Sequence, residues 1–273
     1  MLPPRTPFFL QFTGVTIINI LRDRVLHMLF GATLLLLFLV PAFSLFSMRQ
    51  VQPLAITLSL STISLILLVV SILLGCSSIW RDVERRYTAS VLGLPIPRGS
   101  YVVGKFLGVV SFLFFCGLLL GTVASGVIVM AGAQYPSQQP ILWANFASAV
   151  FFDCCKYALL TAVALLLSSL STSFFLPIFG TIATYLAGTA SQEVMDYIAG
   201  GTQVIPVAKA TQYLARGAYY LLPNLSAFDL KVYAIYSLPL SLTGLMYTFG
   251  YFLVYTAILL YLAVWVFRGR ELT

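Results

Sequence analysis

The chain has 273 residues, 60% of them hydrophobic and only 8% charged, against about 25% charged residues in a typical soluble domain. Its mean hydropathy of +0.98 comes from repeated apolar runs of spanning length, about 20 residues for a hydrocarbon core about 30 Å thick, so the composition excludes a soluble protein and indicates an integral membrane protein. The net charge of +7 does not point to nucleic acid, because the basic residues cluster beside apolar runs, as cytoplasmic flanks of spans do.

The first element, 8–24, is moderately apolar and ends in Arg22-Asp23-Arg24. It is too interrupted for a span and suits a helix lying along the membrane surface. The first span is expected over 25–46. The stretch 28–40 has the length of a signal-peptide core, but the region before it is too long for that reading. His27, the single histidine, sits at the start of this run, which excludes a multi-histidine metal site and indicates a structural, interfacial role. A short polar loop then leads to a second span over 54–79.

Polarity changes abruptly at Trp80. The segment to Lys105 carries Arg81, Arg85, Arg86, Arg98 and Lys105 with Asp82 and Glu84. A short helix is expected over 82–94, charged in its first half and apolar further on, halted by Pro95 and Pro97. Within the same segment, Gly99 to Phe106 (GSYVVGKF) fits a phosphate-binding loop at every position except the last, where Phe106 stands in place of a metal-ligating hydroxyl. No strand-like run precedes it, so the fit is read as accidental.

The third span is expected over 106–133 and a fourth apolar stretch over 141–170. The latter contains Asp153 and Lys156, three positions apart and so on one helix face. Charges at a membrane centre cost on the order of 2.5 to 3.5 kcal/mol each on insertion scales. The pair therefore either faces a polar cavity, as a substrate or gate contact, or lies near the outer interface with Lys156 snorkelling. The cysteines Cys76, Cys116, Cys154 and Cys155 lie in apolar runs without CxxC spacing and read as packing residues.

A hinge of Ser168, Ser169, Ser171, Thr172 and Ser173 divides the fourth span from a fifth over 174–190. An unbroken helix over 157–186 would measure about 45 Å, too long for one crossing. A segment with scattered charges and aromatics, 191–236, precedes the last span over 245–267. Six spans place both basic termini on one side, which the positive-inside rule makes cytoplasmic together with 80–105. Of the 15 Lys and Arg, Arg49, Lys209, Arg216 and Lys231 then fall outside and Lys156 lies within a span.

The charged segment from Arg81 to Gly108, RDVERRYTASVLGLPIPRGSYVVGKFLG, resembles the signature of type-2 ABC exporter permeases. In that signature a glutamate and basic pair precede Thr, a leucine-containing helix, a Leu-Pro turn, an Arg and a Gly-Lys-x-Leu-Gly lead into the third span. Leu222-Pro223-Asn224 also looks like a recurring family feature. The resemblance implies a single all-α permease domain over 1–273 with six transmembrane helices, an N-terminal interfacial helix (8–24), a cytoplasmic coupling helix (81–98) and short external helices in 191–236.

It further implies an ATP-driven exporter subunit in a prokaryotic cytoplasmic membrane with both termini cytoplasmic. Its expected partners are two ABC ATPase subunits, a second permease expected to be another copy, and membrane lipids, with room for accessory envelope proteins. The coupling residues would be Glu84, Arg85, Arg86, Tyr87, Thr88, Val91, Leu92, Leu94, Pro95 and Arg98. No cofactor is expected in this chain; the partner ATPase would bind ATP and magnesium. The chain shows no full phosphate loop, GxSxG or HExxH, so it is expected to be catalytically silent. A secondary carrier using Asp153 and Lys156 is the alternative, ahead of an intramembrane enzyme.

Overall fold

The computed structural model describes residues 8–44, 46, 50–84, 98–134, 140–171, 173–199, 216–217, 219–220 and 222–269, with the backbone alone at 81–84, 98, 134 and 199. Their regular structure is helical throughout: α1 Phe8–Leu21, α2 Arg24–Ser44, α3 Val51–Glu84, α4 Arg98–Gln134, α5 Trp143–Leu170, α6 Phe175–Ala199, a short 3-10 turn Ser226–Phe228, α7 Lys231–Ile235 and α8 Leu242–Gly269. Helices α2, α3, α4, α5 and α8 are each long and apolar enough to cross a membrane. The chain is an all-α polytopic membrane protein.

Two expectations change. The second apolar run does not stop at Ile79: with no Pro or Gly between Cys76 and Glu84, α3 continues through the charged residues to Glu84. The expected short helix therefore loses its first turn to α3, and 85–97 lies outside the described residues. The fifth expected span forms a helix, α6, but runs to Ala199 and is not among the five apolar candidates. Its last turns, SQEVMDYIA, carry Gln192, Glu193 and Asp196, which dilute an apolar first half.

The polar hinge forms at Ser171 and Ser173, while Ser168 and Ser169, expected to belong to it, stay inside α5. Helix α5 ends at Leu170, Ser171 is extended at its C-cap, and the Ser173 N–H donates to Ser171 Oγ at 3.0 Å while Ser171 Oγ donates to Ser173 O at 2.9 Å. Local side-chain bonds of this kind compete with helix continuation. Serines nearer the helix instead stitch α5 to its neighbour, as Ser168 Oγ donates to Cys76 O at 3.1 Å.

Helix α5 is the axis of the bundle: 83% of its apolar window is buried, against 22% in α2 and in α8. Small residues let the neighbours approach it. A Cβ on Gly117 of α4 would collide with Cys154 Sγ, and one on Gly75 of α3 would come within 2.6 Å of Ala164 Cβ. Close backbone approach through small residues is the usual means of packing helices in lipid, where no hydrophobic force drives helices together.

A second small-residue seam, Gly104-x-x-x-Gly108, seats α1 on the start of α4. A Cβ on Gly104 would come within 2.6 Å of Phe12 Cβ, one on Gly108 within 2.7 Å of Thr16 Cβ, and Thr13 Oγ1 donates to Gly104 O at 3.3 Å. The Tyr101 ring meets Phe12 edge-on at 5.5 Å and stacks on Phe267 at 5.6 Å, tying α1, α4 and α8 together. The residues that imitate a phosphate loop in sequence thus form a helix–helix seam. Lys105, the last residue of the segment expected to be cytoplasmic, is only 8% exposed, with its ammonium 5.7 Å from the Tyr101 ring.

Candidate functional site

The segment before α8 is not a surface loop lying over the bundle. Leu225, Phe228 and Ala234 are almost fully buried, and the 3-10 turn and α7 pack against α3, α5 and α6. Its first end is fastened to α6. The Leu225 N–H donates to Gly188 O at 3.2 Å and Ser226 Oγ to Thr189 O at 2.7 Å. Asn224 Nδ2 donates to Gln192 Oε1 at 2.8 Å, and the Asn224 N–H donates to the Tyr251 hydroxyl of α8 at 3.0 Å. The Leu-Pro-Asn tripeptide is therefore a three-way junction. Gly188 is required there, since a Cβ would sit 2.6 Å from Pro223 O.

The other end of the segment is fastened to α5. Asn145, buried near the start of that helix, uses both amide hydrogens, donating to Tyr233 O at 3.0 Å and Leu238 O at 2.8 Å. The chain turns between them through Ser237, whose φ of 51° is left-handed, and Ser237 Oγ donates to Pro140 O at 3.0 Å.

Between these fastenings lies the charge pair. Asp153 and Lys156 are 2% and 3% exposed, about 15 and about 20 Å along α5 from Trp143 at about 1.5 Å per residue. They do not snorkel to an interface. The Lys156 ammonium lies 5.6 Å from the ring centres of both Tyr157 and Tyr185, an arrangement that stabilises a desolvated cation by about 2 kcal/mol or more. The Tyr157 hydroxyl shares a 2.6 Å hydrogen bond with Ser64 of α3, which also reaches the Asp153 carboxyl. Asp153 Oδ2 has no hydrogen-bond partner among the described residues.

The segment packed on α5 adds one further acid, the exposed Asp229, and one further base, the half-buried Lys231. Ser64, Tyr157, Tyr185, Asp229 and Lys231 were not legible as site residues. The available signals were Tyr157 beside Lys156 and the Asp-x-Lys spacing of 229 and 231, which repeats the acid-then-base order of 153 and 156. Among the described residues no group of His, Cys, Asp or Glu is arranged to hold a metal.

Of the expected coupling residues, Glu84 ends α3 and Arg98 begins α4, each described by its backbone only. Arg85, Arg86, Tyr87, Thr88, Val91, Leu92, Leu94 and Pro95 lie outside the described residues. No family model matches the chain and no curated protein matches it.

Proposed function

We propose that the chain is the membrane-spanning permease subunit of an ATP-driven exporter, moving its substrate with energy from two partner ATPase subunits and pairing with a second copy of itself. The observation that carries this reading is the sequence from Arg81 to Gly108 and its likeness to the type-2 exporter signature. Helix length supports it. Helices α3 and α4 have 34 and 37 residues, about 51 and 55 Å at about 1.5 Å per residue, against a hydrocarbon core of about 30 Å. Both therefore have length to spare beyond the bilayer at their charged ends, where 85–97 joins them.

In this reading α6 completes a sixth crossing, both termini are cytoplasmic, and the membrane is the prokaryotic cytoplasmic membrane. The segment 81–98 docks in a groove on the ATPase. Closure of the ATPase pair on ATP binds this segment differently from the open state, and that difference in affinity is what shifts the permease between its own states. The seam of α1, α4 and α8 would transmit the push, since α4 enters the bundle wedged between the other two.

A secondary carrier is the second reading, favoured by the burial of Asp153 and Lys156, because intramembrane charges commonly mark ion pathways. Gentle extraction with a tag on this chain separates the two. The exporter reading expects a soluble ATPase to co-purify and to be lost with Arg85→Glu; a chain that purifies without any ATPase refutes it.

A further inference from the structure

Helix α1 runs parallel to α4: Phe12 lies against Gly104 and Thr16 against Gly108, a step of four residues in each helix, and Ile20, next in the series, is buried. Helix α2 also packs on α4, while α1 and α2 scarcely touch each other. The two therefore follow one another along α4 with a break between them. Continuing the same pairing sets that break, at Arg22 and Asp23, more than a third of the way along α4. The break is bonded. Asp23 Oδ1 accepts the Val25 N–H at 3.0 Å, His27 Nδ1 donates to Asp23 O at 2.8 Å, and the Asp23 N–H donates to Ile20 O at 3.1 Å. Arg22 and Arg24 flank it, both exposed, and among the described residues neither guanidinium has a hydrogen bond or ion pair. The side chains on either side are apolar and also exposed: Ile18 and Leu21 before the break, Val25 and Met28 after it.

We propose that Arg22 and Arg24, at the break between α1 and α2, form a binding site for the headgroup of an anionic membrane phospholipid, whose acyl chains lie along the exposed apolar side chains beside it. Two guanidinium groups turned outward from an apolar belt are costly beside hydrocarbon unless an anion meets them. The 21 residues of α2 measure about 32 Å at about 1.5 Å per residue, close to a hydrocarbon core of about 30 Å. When α2 spans that core, the break falls at one of its faces, the level of the lipid phosphates. Planar guanidinium forks match phosphate oxygens in pairs, which a point charge does not. Asp23, between the two arginines, has one carboxylate oxygen turned to the Val25 N–H. A headgroup without an ammonium of its own brings no like charge to the site, hence the preference for an anionic lipid. The inference rests on the membrane character of α2 and α4 and stands apart from the exporter reading.

The test uses the full chain in detergent, titrated in native mass spectrometry with phosphatidylglycerol and with phosphatidylcholine of the same acyl chains. The parent is expected to bind its first phosphatidylglycerol more tightly than phosphatidylcholine. Arg22→Gln with Arg24→Gln is expected to weaken that first phosphatidylglycerol by about thirtyfold. Arg216→Gln with Lys231→Gln removes the same charge elsewhere and is expected to leave the affinity unchanged. Arg22→Lys with Arg24→Lys keeps both charges and is expected to retain the preference for phosphatidylglycerol. A loss confined to the glutamine pair at the break bears the proposal out. Equal affinity of the parent for the two lipids, full phosphatidylglycerol binding by the glutamine pair, or an equal loss in the distant control or in the lysine pair would each overturn it.

Discussion

Helices α5 and α8 have 28 residues each and nearly equal mean hydropathy, yet 83% of the apolar window of one is buried and 22% of the other. Hydropathy assigns both to the membrane and says nothing of which is the axis. The residues that set them apart are small or polar. Helix α5 carries Asn145, Asp153, Cys154, Cys155, Lys156, Ser168 and Ser169, each buried, while the outward face of α8 displays Met246, Tyr247, Val254, Tyr261 and Trp265. In lipid, a large apolar side chain has no reason to avoid the surroundings; a charge or an amide does. Polarity inside a spanning helix therefore marks its inner face, the reverse of the rule in water.

The sharpest way to break the contrast is to remove one charge from α5. Lys156→Met leaves the Asp153 carboxylate buried without the ammonium on its own helix face and is expected to destabilise the protein by about 3–5 kcal/mol, read as a lowered midpoint of unfolding in mixed detergent micelles. Adding Asp153→Asn should recover a large part of that loss, because the damage lies in the uncompensated charge.

Packing comes next. Gly117→Ala places a methyl group on Cys154 and is expected to cost about 1–3 kcal/mol by overpacking. Gly250→Ala on α8, where nothing lies within 4 Å, is expected to be neutral or to stabilise by up to about 1 kcal/mol through helix propensity. Equal effects at the two glycines would erase the distinction between axis and rim.

Asn145→Ala removes both amide donors to the turn before α8 and is expected to cost about 1–3 kcal/mol as the two carbonyls lose their partner. Limited proteolysis should then cut near Ser237 faster than in the parent. The smallest effect is expected on the outside of α8, where Val254→Ala should change the free energy of unfolding by less than about 0.5 kcal/mol.

Much of the architecture was legible because spanning length and the serine hinge are local properties. The hinge placed the end of α5 at Leu170 from sequence alone. The extension of α3 to Glu84 was not foreseen, because charge was taken to end the helix, whereas a helix leaving the bilayer meets water that solvates both its backbone and its charges. The polarity of the second half of α6 was visible as Gln192, Glu193 and Asp196, but only the fold shows its use: Gln192 accepts from Asn224 and, at 3.2 Å, from the Tyr219 hydroxyl. Asp153 and Lys156 were found by their cost in lipid. Their partners were not, since Ser64 and Tyr185 reach the pair from two other helices, and no local spacing encodes that convergence.

The most direct test of the exporter account places a photo-crosslinking amino acid at Leu92, in the segment joining α3 to α4, and irradiates native membranes. The account predicts an adduct with a cytoplasmic ATPase that diminishes when Arg85→Glu is added. Adducts with lipid or with this chain alone, at full expression, would contradict it.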